Sequence, residues 1–132
     1  IMEALNEDKY DVIIVNYANP DMVGHTGVFE AAVAAVKKVD KCIARVSKRI
    51  LELGGTLLIT ADHGNVELME DPQTHAPFTA HTTNKVPLIL VSDKYKNVKL
   101  SDGKLSDIAP TMLDILGIPE PAEMNGKSLI EK

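Results

Sequence analysis

The chemistry in this chain is concentrated in two polar stretches. Residues 16–27 hold Asp21 and His25, four positions apart. Residues 61–84 hold the adjacent pair Asp62 and His63, then His75 and His81. Every histidine of the chain lies in one of the two. Carboxylate and imidazole together ligate zinc, manganese, iron or cobalt better than calcium or magnesium, which take all-oxygen shells. These six side chains exceed the roughly three or four protein ligands that one tetrahedral zinc needs. A pair of ions is the natural reading, and paired cations clamp the attacking and leaving oxygens of a phosphoryl transfer.

Each residue also has a plainer explanation. Asp21 follows Pro20 and would serve a turn. His25, between Gly24 and Thr26, reads as a solvated loop histidine. Asp62 would cap a turn completed by Gly64 and Asn65. His75, beside Ala76 and Pro77, is the weakest ligand candidate. Cys42 falls beside an apolar helical stripe and reads as a small core residue. Gly54-Gly55 lacks the glycine spacing of a phosphate loop and the Lys-Ser/Thr that follows one.

The elements that must position these groups follow from periodicity. Residues 1–9 read as the end of a helix. Three β-branched or leucine-rich runs predict buried strands: DVIIVN at 11–16, TLLIT at 56–60 and VPLILVS at 86–92. Residues 98–100 predict a short edge strand. Between the first two strands, Ala32, Val36, Val39, Ile43, Val46 and Ile50 recur at helical spacing and predict a helix over about 28–53. Thr26 is the expected N-cap, and Gly54-Gly55 the stop. A second helix is predicted over 106–116, with Ser106 as N-cap, Gly117 at its end and Pro119 beyond. Residues 120–132 read as irregular.

Apolar strands alternating with helices predict an α/β fold with a mainly parallel sheet flanked by helices. Ligands of such sheets sit beyond the carboxyl ends of the strands. Both polar stretches follow a strand and are expected on that rim.

Composition narrows the classes. A chain of 132 residues predicts one domain. A net charge of −5 argues against a nucleic-acid partner. No apolar run reaches the length of a membrane span, and the start lacks the features of a secretory signal. A lone cysteine excludes an intrachain disulfide and favours a reducing, cytoplasmic setting. The chain opens on Ile1, with Met2 next. It is read either as a start after a cloning scar or as a piece of a longer protein.

Four segments carry a resemblance: NYANPDMVGHTG at 16–27, TADHGN at 60–65, AHTTNKVPLILV at 80–91 and LSDIAPTMLDILGIPEPAEMNGKSL at 105–129. Together, in order, they resemble the closing part of the cofactor-independent phosphoglycerate mutases. ADHG alone would indicate only the wider alkaline-phosphatase superfamily. The resemblance implies an alkaline-phosphatase-like domain with two divalent metal ions at the end of its sheet, manganese first, with zinc or cobalt as alternatives. It places Asp21, His25 and His81 on one ion, and Asp62 and His63 on the other. It implies that the remaining ligands of the second ion, an Asp and the nucleophilic Ser, lie upstream. The groups that hold the phosphoglycerate substrate would lie there too, mostly in an inserted domain. Ser47, Ser92, Ser101, Ser106 and Ser128 read as structural. The chain is therefore expected to be inactive alone, and its metal binding to fall off below about pH 6, near the ordinary histidine pKa.

Two rival readings stand beside this one. A phosphatase or phosphodiesterase of the same superfamily would share ADHG but not DMVGHTG. A non-enzymatic metal-binding or interaction module would fit a chain without the nucleophile, and an exposed sheet edge would let it self-associate.

Overall fold

A computed structural model of the chain describes residues 1–131. Lys132, the last residue of the tail expected to be irregular, lies outside them.

The chain opens with a short helix α1 (Met2–Asn6). A second short helix α2 (Asn19–Gly24) and the long helix α3 (Phe29–Glu52) follow. Two strands, β1 (Leu57–Ile59) and β2 (Ile89–Val91), flank a long polar excursion. A 3-10 turn at Leu105–Asp107 then leads directly into helix α4 (Ile108–Leu116).

Helix α3 forms where the heptad-like spacing predicts. Ala32 is buried, and Val39, Ile43, Val46 and Ile50 are half-buried along one face. Lys37, Lys38, Lys41 and Lys48 are exposed on the other. Helices α1 and α2 both pack on α3, and Arg49 on α3 donates to Asn6 Oδ1 at 2.9 Å, tying it to α1. The stops are also where the glycines predict them. Gly54 and Gly117 take φ of 69° and 70°, a left-handed conformation costly to any residue with a Cβ. The N-cap expectations are corrected. Val28, not Thr26, precedes α3, and the Thr26 hydroxyl donates to Val23 O while accepting from Val28 N. Asp107, not Ser106, precedes α4.

The sheet is smaller than the pattern predicts. Among the described residues it consists of β1 and β2, paired antiparallel with Leu57 opposite Val91, Leu58 opposite Leu90 and Ile59 opposite Ile89. Thr56 and Ser92 extend the pairing through their hydroxyls at 2.9 Å. Residues 11–16 form no ladder, and Val12, Ile14 and Val15 are exposed, Ile14 at 84%. A strand exists only when its backbone groups find partners, and no other described segment pairs with this run. The parallel arrangement therefore has no counterpart among the described residues.

Two regions expected to be irregular carry order. Residues 19–24 form α2. In the tail, Leu129 is 2% exposed, and Ile130 bridges Leu100. The buried Thr111 hydroxyl donates to Asp107 O at 2.7 Å and accepts from Leu129 N at 3.0 Å. The Asp107 carboxylate accepts from the backbone N–H groups of Lys104 and Lys127. Polar groups so deeply buried are stable because each is bonded. The expected edge strand at 98–100 reduces to that single bridge at Leu100.

Candidate metal centre

Helix α2 sets the first two groups. Asp21 sits in its first turn and His25 immediately follows its last residue, so the i, i+4 spacing turns both to one side. The other groups come from the excursion between β1 and β2. Its two arms are closed by an antiparallel bridge between Gly64 and Thr82, with Thr82 N donating to Gly64 O at 2.8 Å. The bridge brings His63 and His81 together, and their rings stack with centroids 3.8 Å apart.

At the centre of the cluster is Asp21 Oδ1. His81 Nε2 lies 2.9 Å from it, His25 Nε2 3.3 Å, and the two Nε2 atoms are 3.1 Å from each other. Ligand atoms around a tetrahedral ion, with bonds of about 2.0–2.2 Å, stand roughly 3.4 Å apart. The three donors thus have the mutual spacing of groups converging on one ion. Tautomer chemistry agrees. The Thr79 carbonyl can only accept, so at 2.7 Å it fixes the proton on His25 Nδ1 and leaves Nε2 as the lone-pair atom. Histidine ligands are oriented in this way. His63 Nδ1 similarly faces Gly64 O at 3.3 Å.

Asp21 is held on its other side by Asn65, whose Nδ2 donates to Oδ1 at 3.0 Å. Desolvation opposes ionisation of Asp21. The charges that His25 and His81 carry when protonated, with the hydrogen bonds from His81 and Asn65, together outweigh it and hold the carboxyl below its ordinary value. The group is an anionic acceptor, as a metal ligand must be. Asn65 is buried, and its Oδ1 has no hydrogen-bond partner. That oxygen lies against Gly24, where a side chain would collide with it.

Asp62 and His63 form a thinner arrangement. His63 Nε2 stands 3.8 Å from Asp62 Oδ1 and 3.9 Å from Asp21 Oδ1, and Asp62 is exposed. Two donors fall short of a complete shell. Of the described residues, only Asp21, His25 and His81 gather as a three-donor group. His75 is elsewhere. It sits on a tight turn with φ 56°, paired with Glu70 at 2.6 Å and 77% exposed.

Sequence reasoning passed over three groups that shape the site: the Thr79 carbonyl, the Asn65 amide and the Glu67 carboxylate. Glu67 Oε2 accepts from Asn65 N at 2.6 Å. Its Oε1 accepts from the Thr82 hydroxyl and, at 3.0 Å, from Asn84 Nδ2. Desolvation opposes its ionisation, but these bonds prevail and keep its pKa below the ordinary value. A backbone carbonyl has no residue-type signature. Glu67, however, follows HGN closely enough to have been weighed as a partner of that turn.

Similarity to known proteins extends over nearly the whole chain. The model of the metalloenzyme superfamily matches residues 1–120. A 2,3-bisphosphoglycerate-independent phosphoglycerate mutase of Acetivibrio thermocellus is 60% identical over the whole chain, which covers 25% of that protein. The same enzyme of Clostridium botulinum is 56% identical over 99% of the chain, covering 26% of its own length. A crystal structure of the Leishmania mexicana phosphoglycerate mutase, determined at low cobalt concentration, superposes with a TM-score of 0.85 at 30% identity. That match covers 98% of this chain and 26% of the other. The chain spans about a quarter of the length of the curated relatives it matches. Among the described residues, no helix is long and apolar enough to cross a membrane. With the family model spanning nearly all of its length, the chain belongs to the metalloenzyme superfamily.

Proposed function

We propose that this chain is the C-terminal part of the metal-binding, alkaline-phosphatase-like domain of a cofactor-independent phosphoglycerate mutase. The intact enzyme would interconvert 3-phosphoglycerate and 2-phosphoglycerate in glycolysis and gluconeogenesis, in the cytoplasm. One observation carries the reading: Asp21 Oδ1, His25 Nε2 and His81 Nε2 converge within 2.9–3.3 Å from two separate sequence segments. Relatives that match the whole chain, or nearly all of it, are named as phosphoglycerate mutases.

In this reading Asp21, His25 and His81 hold one divalent ion, with manganese preferred over zinc or cobalt. Asp62 and His63 contribute two ligands to a second ion, whose remaining ligands, an Asp and the nucleophilic Ser, come from upstream. Such ions, when bound, neutralise charge on the transferring phosphoryl group and lower the pKa of an attacking hydroxyl. The chain's own residues prepare that setting. The Thr79 carbonyl keeps the His25 proton on Nδ1, away from the centre. Asn65 holds Asp21 in place. His63 and His81 brace one another by stacking. The serine would take the phosphoryl group and return it to the other hydroxyl of glycerate, so the reaction balances without net transfer to water.

The exposed run Val12, Ile14 and Val15 supports the mainly parallel sheet of this reading, since it offers an unpaired edge to upstream strands. The same edge would let the isolated chain self-associate.

The test is the intact protein supplied with 3-phosphoglycerate and Mn²⁺, with 2-phosphoglycerate measured directly. Isomerisation that falls at least a hundredfold in His81→Ala, together with no turnover by the 132-residue chain alone, is the expected result. Release of inorganic phosphate without isomerisation would instead make the protein a phosphatase of the same superfamily.

A further inference from the structure

We propose that Glu67 is a positioning residue of the metal centre: its carboxylate ties the Asn65 backbone, whose side chain orients Asp21, to the turn that carries His81. The inference rests on the metal-centre reading above.

The two arms of the excursion contribute separately to the centre. One arm carries His63 and Asn65, the other His81. Backbone bridges join them at Gly64–Thr82, beside the ligands, and at Glu70–Pro77, toward the far end. Neither bridge includes the Asn65 side chain that orients Asp21. Glu67 adds a side-chain attachment between the arms at the ligand end. Its Oε2 accepts from the Asn65 N–H of its own arm. Its Oε1 accepts from the Thr82 hydroxyl and from Asn84 Nδ2 of the opposite arm. Thr82 directly follows His81, and Asn65 Nδ2 is the donor that holds Asp21. One carboxylate therefore stands one residue, or one side chain, away from two of the three converging ligands.

The space is built for it. A Cβ at Gly64 would lie 2.9 Å from Glu67 Cδ, and closer still to the Thr82 hydroxyl. Both carboxylate oxygens are committed to donors on the two arms, and Glu67 is not among the residues that gather as ligands. Its part is thus to orient, not to coordinate. Groups that orient metal ligands typically change metal affinity by about 10–100-fold when removed.

Glutamine is the discriminating substitution. It keeps the size of the side chain but has one acceptor oxygen where glutamate has two. Its NH₂ then faces a donor on one arm or the other, and one attachment is lost. In the intact protein, Mn²⁺ affinity is measured by calorimetry, and the Co²⁺-substituted centre by visible absorption, for wild type, Glu67→Gln and Thr82→Val. Thr111→Val, in the separate C-terminal cluster, serves as a control for general destabilisation. The expected result is a loss of at least tenfold in Mn²⁺ affinity and an altered Co²⁺ spectrum for Glu67→Gln. A smaller loss is expected for Thr82→Val, and unchanged binding and spectrum for Thr111→Val. The Glu67→Gln/Thr82→Val double variant should bind no more weakly than Glu67→Gln, because both break one link. Wild-type affinity and spectrum in Glu67→Gln would overturn the proposal. If Glu67→Gln does not fold, wild-type binding by Thr82→Val overturns it instead. A wild-type protein that binds no Mn²⁺ would overturn the metal-centre reading itself, a result distinct from either.

Discussion

Replacing Gly24 with alanine sets two principles against each other. Gly24 is the last residue of α2, and in a helix alanine is favoured over glycine by about 0.8–1.0 kcal/mol at most. On propensity alone, Gly24→Ala stabilises. The structure predicts the reverse sign. A Cβ at Gly24 would lie 2.8 Å from Asn65 Cγ and 2.9 Å from Val66 Cγ1, and nearer still to Asn65 Oδ1. Asn65 is buried and its backbone N–H is held by Glu67, so the residue cannot simply withdraw. Either the contact is strained, at about 1–3 kcal/mol for overpacking, or the amide rotates and gives up its bond to the Asp21 carboxylate, worth about 1.5–3 kcal/mol. Set against the helical gain, the net loss is about 0–2 kcal/mol. Because the amide orients Asp21, Mn²⁺ affinity should fall about tenfold as well. Urea unfolding and metal titration of the intact protein read the two effects separately. Asn65→Ala should relieve the clash, so the cost of Gly24→Ala should shrink in that background. A Gly24→Ala protein more stable than wild type by nearly 1 kcal/mol, with unchanged metal affinity, would refute the reasoning.

Other perturbations separate the site from its support. Leu129→Ala empties a fully buried position in the C-terminal cluster and should cost about 2–5 kcal/mol in urea unfolding, with metal affinity unmoved. Thr111→Val leaves the Leu129 N–H without its acceptor and should cost about 1–3 kcal/mol; a neutral result would mean the hydroxyl is not the group that satisfies it. The backbone N–H of Lys104, with that of Lys127 and both lysine charges, outweighs desolvation and holds Asp107 below its ordinary carboxyl value of 3.8. A depressed folded pKa contributes stability that is complete above the unfolded pKa and is lost as pH falls through the folded one. The gap in urea midpoint between wild type and Asp107→Asn should therefore narrow on acidification from about pH 5 to below pH 3, and a constant gap would contradict the assignment. His75→Ala, remote from the cluster, should leave Mn²⁺ affinity within error of wild type.

What could be read in advance follows the range of the forces involved. Helix α3 was legible because its apolar period is local, and Gly54 and Gly117 mark ends that few other residues allow. Helix α2 was not. Its residues, NPDMVG, carry turn signals, and so short a helix is stable only because it packs on α3. DVIIVN carries the composition of a buried strand, but composition cannot supply the partner that makes a ladder. Its exposed Ile14 marks the point where local preference and available contacts disagree. Leu129 shows the opposite case. It stands beside Ile130 near the end of a mostly polar tail, and its backbone is fixed in the core by Thr111, eighteen positions away.

The same distinction governs the metal centre. Residue type and position offer Asp21, His25, Asp62, His63, His75 and His81 as candidates, because ligand chemistry is a property of side chains. They do not say which of the six converge, and only the resemblance divides five of them between two ions. His75 has the same imidazole as His81, and only the turn built on Asp71, which accepts from the backbone N–H groups of Gln73 and Thr74, carries it away toward Glu70. Orientation was hidden more deeply still, since it is set by a backbone carbonyl at Thr79 and by a buried amide that leaves its own oxygen unpaired. An unsatisfied buried acceptor costs about 1–3 kcal/mol. Asn65 bears that cost while donating to Asp21, and Gly24 leaves the room that lets it do so. The sign of Gly24→Ala therefore asks whether stability or the geometry of the centre sets the residue at this position.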